Sequence, residues 1–185
     1  MHPFPTVMLM SGRVAKFVGG TSKNNDDATI AIPALALVGD LALIASGSAV
    51  PGWSTLTQGG LSVSWKVLVS GDLSGVALGS SVKPAIAAIY RGARSASKAA
   101  GANSATCPGF TKSPGALAVV AATKADSNYP PAAPSGGLTL RAAPGGVGAP
   151  WASLADGVPA SNYVNGTNIV WTAGTSQSSI AIELF

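Results

Sequence analysis

Apolar residues along this chain recur in short runs or in alternation with polar ones, between clusters of Gly, Pro, Ser and Asn. The three-and-four spacing of an amphipathic helix is almost absent, so the pattern predicts strands. They are expected at residues 12–18, 28–32, 40–45, 61–68, 85–91, 116–122, 137–141, 168–171 and 178–184. Such a series predicts an all-β fold, a single antiparallel β-sandwich, jelly-roll-like, of about nine strands with long Ala/Gly/Pro-rich loops. Leu41, Leu43 and Ile44, with alanines between them, leave no polar face and belong in a central strand. Leu61, Val63, Trp65 and Val67 alternate with Ser62, Ser64 and Lys66, which predicts one core face and one polar face. Ile180, Ile182 and Leu184 are expected to point one way, with Ser179, Ala181 and Glu183 opposite.

The segments between strands differ in composition. Residues 93–115 and 126–137 read as long loops, with room for one or two helical turns in the Ala-rich stretch before Gly101. Loops of that length in a compact domain are usually functional or contact a partner. Neither a repeat nor a linker divides the chain, so residues 1–185 are expected to form one domain. Residues 1–11 are expected to be pinned against a partner, since a free terminus frays.

Composition sharpens this picture. Only 10% of residues are charged while 47% are hydrophobic, well away from the roughly 25% charge of an ordinary soluble domain. A surface so poor in charge is expected to be covered in an assembly or built from Ser, Thr, Gly and Ala. The net charge of +4 comes from scattered residues, with no Lys/Arg run to neutralise adjacent phosphates, so no specific nucleic-acid partner is expected. Pro33, Gly39 and Asp40 interrupt the longest apolar stretch, residues 28–45, and no membrane span is expected. The first residues lack the basic leader and long apolar core of a secretory signal.

Chemistry is sparse. The one histidine, His2, lies between Met1 and Pro3, and the one cysteine is Cys107. Ser–His–Asp and Cys–His mechanisms, an internal disulfide and a zinc site therefore lack their residues. Cys107 is expected to be a small apolar residue beside a turn. Asp26 and Asp27 in KNNDDAT suit a polar turn better than a cation loop, and Asp40 and Asp72, each after a glycine, suit turn capping. Asp126, Asp156 and Glu183 are the acids from which a glycosidase pair would have to come. Asn165-Gly166-Thr167 reads as a hairpin turn. No catalytic, cofactor-binding or metal-binding residue and no cofactor is expected.

Four tryptophans remain. Trp65 and Trp171 are expected in the core of strands, and Trp53, after the rigid Pro51-Gly52 turn, is expected to close one end of the sandwich. Trp53, Trp151 and Tyr129 are the candidates for contact with a partner or a glycan, since exposed aromatic rings stack on sugars.

The order GDLALIA, VPGWSTL, VSWKVL, SGDLSGV and AAIYRGA resembles a β-sandwich domain of tailed-bacteriophage virion proteins. There a "GDL" strand precedes "P-x-G-W", a "K-V" strand follows, and a "YRG" strand closes the first half. Gly39, Asp40, Leu41, Pro51, Gly52, Trp53, Lys66, Val67, Tyr90, Arg91 and Gly92 match, and GLTLRAAP with WTAGTSQSSIAIELF fits the ending more loosely. The segment between GDLALIA and PGW is shorter than in that family. The resemblance implies a non-enzymatic structural subunit of the virion, assembled in the host cytoplasm. A tail or tail-fibre accessory protein is expected, with a capsid decoration protein as the alternative, and copies of itself and other virion proteins as partners. A carbohydrate-binding module that recognises a host-surface glycan is the rival of another class. An enzyme stands third.

Overall fold

The computed structural model describes residues 14–80, 83–103, 109–124, 137–145, 150–158, 163–164 and 177–185. The expected strand at residues 168–171, the segment 1–11, and His2, Cys107, Asp126, Tyr129, Trp171 and the Asn165-Gly166-Thr167 turn lie outside them. The side chains of Trp151 and Tyr163 do as well.

Fourteen strands are described: β1 (Lys16–Lys23), β2 (Thr29–Ile30), β3 (Leu41–Ser46), β4 (Ser54–Gln58), β5 (Leu61–Val67), β6 (Val76–Ala77) and β7 (Ala85–Arg91) in the first half. The second half supplies β8 (Ala96–Ala102), β9 (Phe110–Thr111), β10 (Leu117–Lys124), β11 (Thr139–Ala142), β12 (Trp151–Gly157), β13 (Tyr163–Val164) and β14 (Gln177–Leu184). Two five-stranded sheets, ordered β1-β7-β3-β5-β4 and β11-β12-β10-β14-β8, contain only antiparallel pairs. They pack face to face, β7 and β3 against β12, and β5 against β10 and β14. Each five-stranded sheet comes from one half of the sequence, and between these two sheets the described chain crosses once, between β7 and β8.

The core between the sheets holds Leu41, Leu43, Leu61, Val63, Ile86, Tyr90, Val119, Leu154, Ile180, Ile182 and Leu184. Trp65 and Val67 pack against it half-buried. The intervening positions are apolar too. Ala42, Ile44, Ala85, Ala87 and Ile89 on the outside of the first sheet are covered by Ile30, Ile32, Leu68, Val76 and Leu78. Ala118, Val120, Ala122 and Ala155 on the outside of the second sheet share a cluster with Phe110 and Leu138. Thus β2–β6 lies over one sheet and carries Ile30 and Val76, while β9–β13 carries Phe110 of the other outer cluster. This is why LALIAS, AIAAIY and LAVVAA have no polar alternation: strands covered on both sides need apolar residues at every position. Alanine dominates the outward positions, which lets the covering layer approach closely.

Two sequence expectations need correction. Residues 96–102 form β8, an edge strand paired with β14, in place of loop or helical turns. Strands β4 and β12 were not anticipated. The Ser62–Ser64 face of β5 is polar yet buried. Residues 47–53 return across it: the Val50 amide donates to Ser64 Oγ at 3.0 Å, and Thr55 Oγ1 lies 2.8 Å from the same oxygen.

Candidate functional site

Local sequence sets the turns that place the polar side chains. The Trp53 amide donates to Val50 O at 3.2 Å, with Pro51 second and Gly52 third at φ +75°, the combination a type II turn demands. Trp53 lands half-buried against the outer cluster of the first sheet, with Lys66 Nζ 6.0 Å from its ring centroid. It therefore does not plug the inter-sheet core: the turn lies on the outside of β5, so its side chain meets Leu78, Val76 and their neighbours. Lys66 also pairs with Asp72 at 2.9 Å, and Asp72 accepts the Val69 amide as the cap of a short 3-10 turn. Burial opposes its ionisation, but the Val69 and Lys66 hydrogen bonds prevail and hold this carboxyl below its usual range.

Two further ion pairs hold buried carboxylates. Arg91 Nε and Nη2 donate to Asp40 Oδ1 and Oδ2 at 3.0 and 2.8 Å, and Nη2 also reaches Leu35 O at 3.1 Å. Asp40 Oδ2 accepts the Leu37 amide at 3.0 Å, and Arg94 Nη1 donates to Gly39 O. The Arg91 hydrogen bond is the main reason that the Asp40 carboxyl titrates below its ordinary value. Asp40 caps its turn as expected, and the "GDL" and "YRG" segments form one clasp.

The second pair lies inside. Asp156, 1% exposed, accepts Arg141 Nε and Nη2 on Oδ1 at 2.8 and 2.7 Å, and Tyr90 Oη on Oδ2 at 3.0 Å. Arg141 Cζ lies 4.4 Å from the Phe17 ring centroid, and Phe17 meets Tyr90 edge-on at 5.8 Å. This chain of contacts ties β1 and β7 of one sheet to β11 and β12 of the other. Burial, with Asp156 beside it, drives the Tyr90 hydroxyl well above its ordinary pKa.

The other acids are engaged as well. Asp26 pairs with Lys83 at 2.7 Å, and Asp27 accepts Asn25 Nδ2 at 2.6 Å within the polar turn. Glu183 accepts the Ser113 amide at 2.6 Å together with the Ser113 and Ser97 hydroxyls, strapping the segment before β10 to the last strand. Each of the six described carboxylates is thus held by donors of the chain itself. Among the described residues no group of three or more His, Cys, Asp or Glu is placed to hold a metal, and no helix is long and apolar enough to cross a membrane.

The distribution of exposed apolar side chains is uneven. Val14, Leu35, Leu37, Val38, Val69, Leu73, Val158 and Phe185 are the eight large hydrophobics exposed among the described residues, from 37% at Leu73 to 68% at Leu35. All eight fall at one end of the sandwich. Lys16, Arg91, Leu41 and Val67 lie at that end of the first sheet, and Ala96, Leu184, Leu117 and Gly157 at that end of the second. Leu37, Val38 and Val69 are brought together by the Gly39 amide on Leu68 O, at 2.9 Å, and the Leu68 amide on Asp40 O, at 2.8 Å. Phe185 joins them because its carbonyl accepts the Arg94 and Ser95 amides at 2.7 and 3.1 Å. The opposite end carries the polar turn, Lys83 and the Gln58-Gly59-Gly60 hairpin.

No family model, curated protein or solved structure matches the chain. Of the aromatic contact candidates, Trp53 is on the outside of the first sheet, Tyr129 lies outside the described residues, and only the backbone of Trp151, at the start of β12, is described. The apolar rim and the Asp156 network escaped the sequence reading. Val158 and Phe185 are each flanked by ordinary residues, and only strand register brings them to the end of the sandwich that carries Leu37.

Proposed function

We propose that this protein is a non-enzymatic structural subunit of a tailed-phage virion, a tail or tail-fibre accessory protein that associates with copies of itself and with other virion proteins. The observation that carries this reading is the rim: every exposed large hydrophobic side chain among the described residues sits at one end of the sandwich. Apolar residues gathered in one place, rather than scattered singly, are the mark of a contact surface. The resemblance of the GDL, PGW and YRG segments to virion sandwich domains supplies the kind of assembly. Support for it comes from Asp40 and Arg91, which the resemblance singles out and which clasp that rim.

The test is light scattering on the isolated protein together with mass spectrometry of purified particles. Association in solution and recovery from washed particles are expected. A protein that stays monomeric and is absent from particles overturns the reading.

A further inference from the structure

The rim carries cations as well as apolar side chains. Lys16 is exposed, Arg94 donates to the Gly39 and Ala93 carbonyls and acts on Asp40 only through space, and neither forms a direct ion pair with an acidic side chain among the described residues. Two rims pressed directly together would set these charges against their own copies, at a cost that desolvation increases. The surface therefore suits an apolar occupant without basic groups. The chain itself contains one. Residues 3–10, PFPTVMLM, hold Phe4, Val7, Met8, Leu9 and Met10 and no charged residue, and they lead into Val14, which is on the rim. Pro3 and Pro5 favour an extended backbone there. These eight residues, extended, reach about 26–29 Å, enough to cross to a facing molecule.

We infer that the rim is the docking surface for residues 3–10 of a second copy, exchanged reciprocally between two molecules. Because the donor segment starts beside the acceptor surface, the exchange closes as a two-fold dimer rather than an open chain. Two uncharged segments then lie between the facing rims and keep Lys16 and Arg94 of one copy away from those of the other. The inference rests on the assembly reading above, and it names the surface and the occupant.

The experiment uses the full chain. In wild type, light scattering is expected to give a dimer. Leu9→Asp and Val38→Asp should each weaken dimerisation by at least about tenfold, because an unpaired carboxylate buried against apolar groups costs more than the ~1.4 kcal/mol that a factor of ten represents. Val38 is 60% exposed, so its replacement leaves the fold intact, to be checked by an unchanged thermal transition. In a Cys107→Ser background, two differently tagged chains, one Leu9→Cys and the other Leu37→Cys, are mixed and oxidised. A disulfide joining the two tags supports exchange. A chain carrying both cysteines that closes only on itself overturns it in favour of folding back within one copy. Dimers that ignore both aspartates overturn the rim as the surface while leaving the assembly reading standing. A monomeric wild type also overturns the exchange, and only absence from particles as well removes the reading beneath it.

Discussion

Replacing Tyr90 with Phe removes one oxygen atom from the interior and leaves the ring where it packs. Its effect therefore reports the hydrogen bond to Asp156 with little contribution from a cavity. Oδ1 of Asp156 would keep both Arg141 contacts, but Oδ2, in a residue 1% exposed, would lose the Tyr90 donor at 3.0 Å. A hydrogen bond to a buried charged group contributes about 1.5–3 kcal/mol, so a loss of about 2 kcal/mol is expected. With a urea slope of about 2–3 kcal/mol/M for a chain of this size, the midpoint should fall by roughly 0.7–1 M, and the melting temperature by about 4–8 °C. In an Asp156→Asn background the acceptor is neutral, and the same Tyr90→Phe change should cost only about 1 kcal/mol. A loss under about 0.5 kcal/mol in the wild-type background would show that water reaches Oδ2 and that the sheets are not tied there. Equal losses in both backgrounds would show that the carboxylate charge contributes nothing.

Other expectations can be measured with the same assays. Trp53→Ala should cost about 2 kcal/mol, less than the roughly 3–5 kcal/mol for a fully buried Trp, because the ring is only half-buried against the outer cluster. A loss as large as 4 kcal/mol would place the ring in the interior. Gly52→Ala should cost about 1–2 kcal/mol from backbone strain at φ +75° alone, since nothing lies within 4 Å of the added methyl; an unchanged midpoint would mean the turn is not type II. Asp40 titrates below its ordinary value of 3.8, so its contribution is fully present above that pH and is lost as pH falls through the lower folded value. Asp40→Asn should accordingly lower stability at pH 7 and flatten its decline below about pH 4, and parallel acid-unfolding curves for the two proteins would contradict this.

Much of the sheet structure was legible because several strands state their own pattern. The interval 85–91 matches β7, and β3, β5 and β14 fall within a residue or so at each end of their expected ranges. The apolar run LALIA was rightly central, and the alternation after Ser179 gave the correct inward set. What failed was whatever depends on a distant partner. ASKAAGA has weak strand propensity and becomes β8 only by pairing with β14, where Ala96 opposes Leu184 and Ala102 opposes Ser179. Asp156 stood out in the sequence only as one of the acids a glycosidase pair would need, and its actual partners Tyr90 and Arg141 come from other strands. Asp40 was legible as a cap from Gly39 beside it, whereas its ion pair with Arg91, 51 residues away, left no local trace.

The sparse charge of the chain has more than one physical origin. An antiparallel sandwich usually alternates, one side of each sheet in the core and the other in water. Here both outer sides carry a covering layer, so β3, β7 and β10 place apolar residues on two buried faces, and much of the 47% hydrophobic content is used inside the molecule. Low charge alone would therefore overstate how much surface neighbours must cover. What the covering layers do not use is the informative remainder, and it is concentrated. Of the four margins of the two five-stranded sheets, β1 carries Lys16 and Lys23, residues that discourage edge-to-edge pairing, whereas β4 carries no charged residue. At the polar end Asp26 pairs with Lys83 and Gln58 donates to Asn103. On the assembly reading proposed above, the end of the sandwich where the exposed large hydrophobics of the described residues gather is where association should be governed.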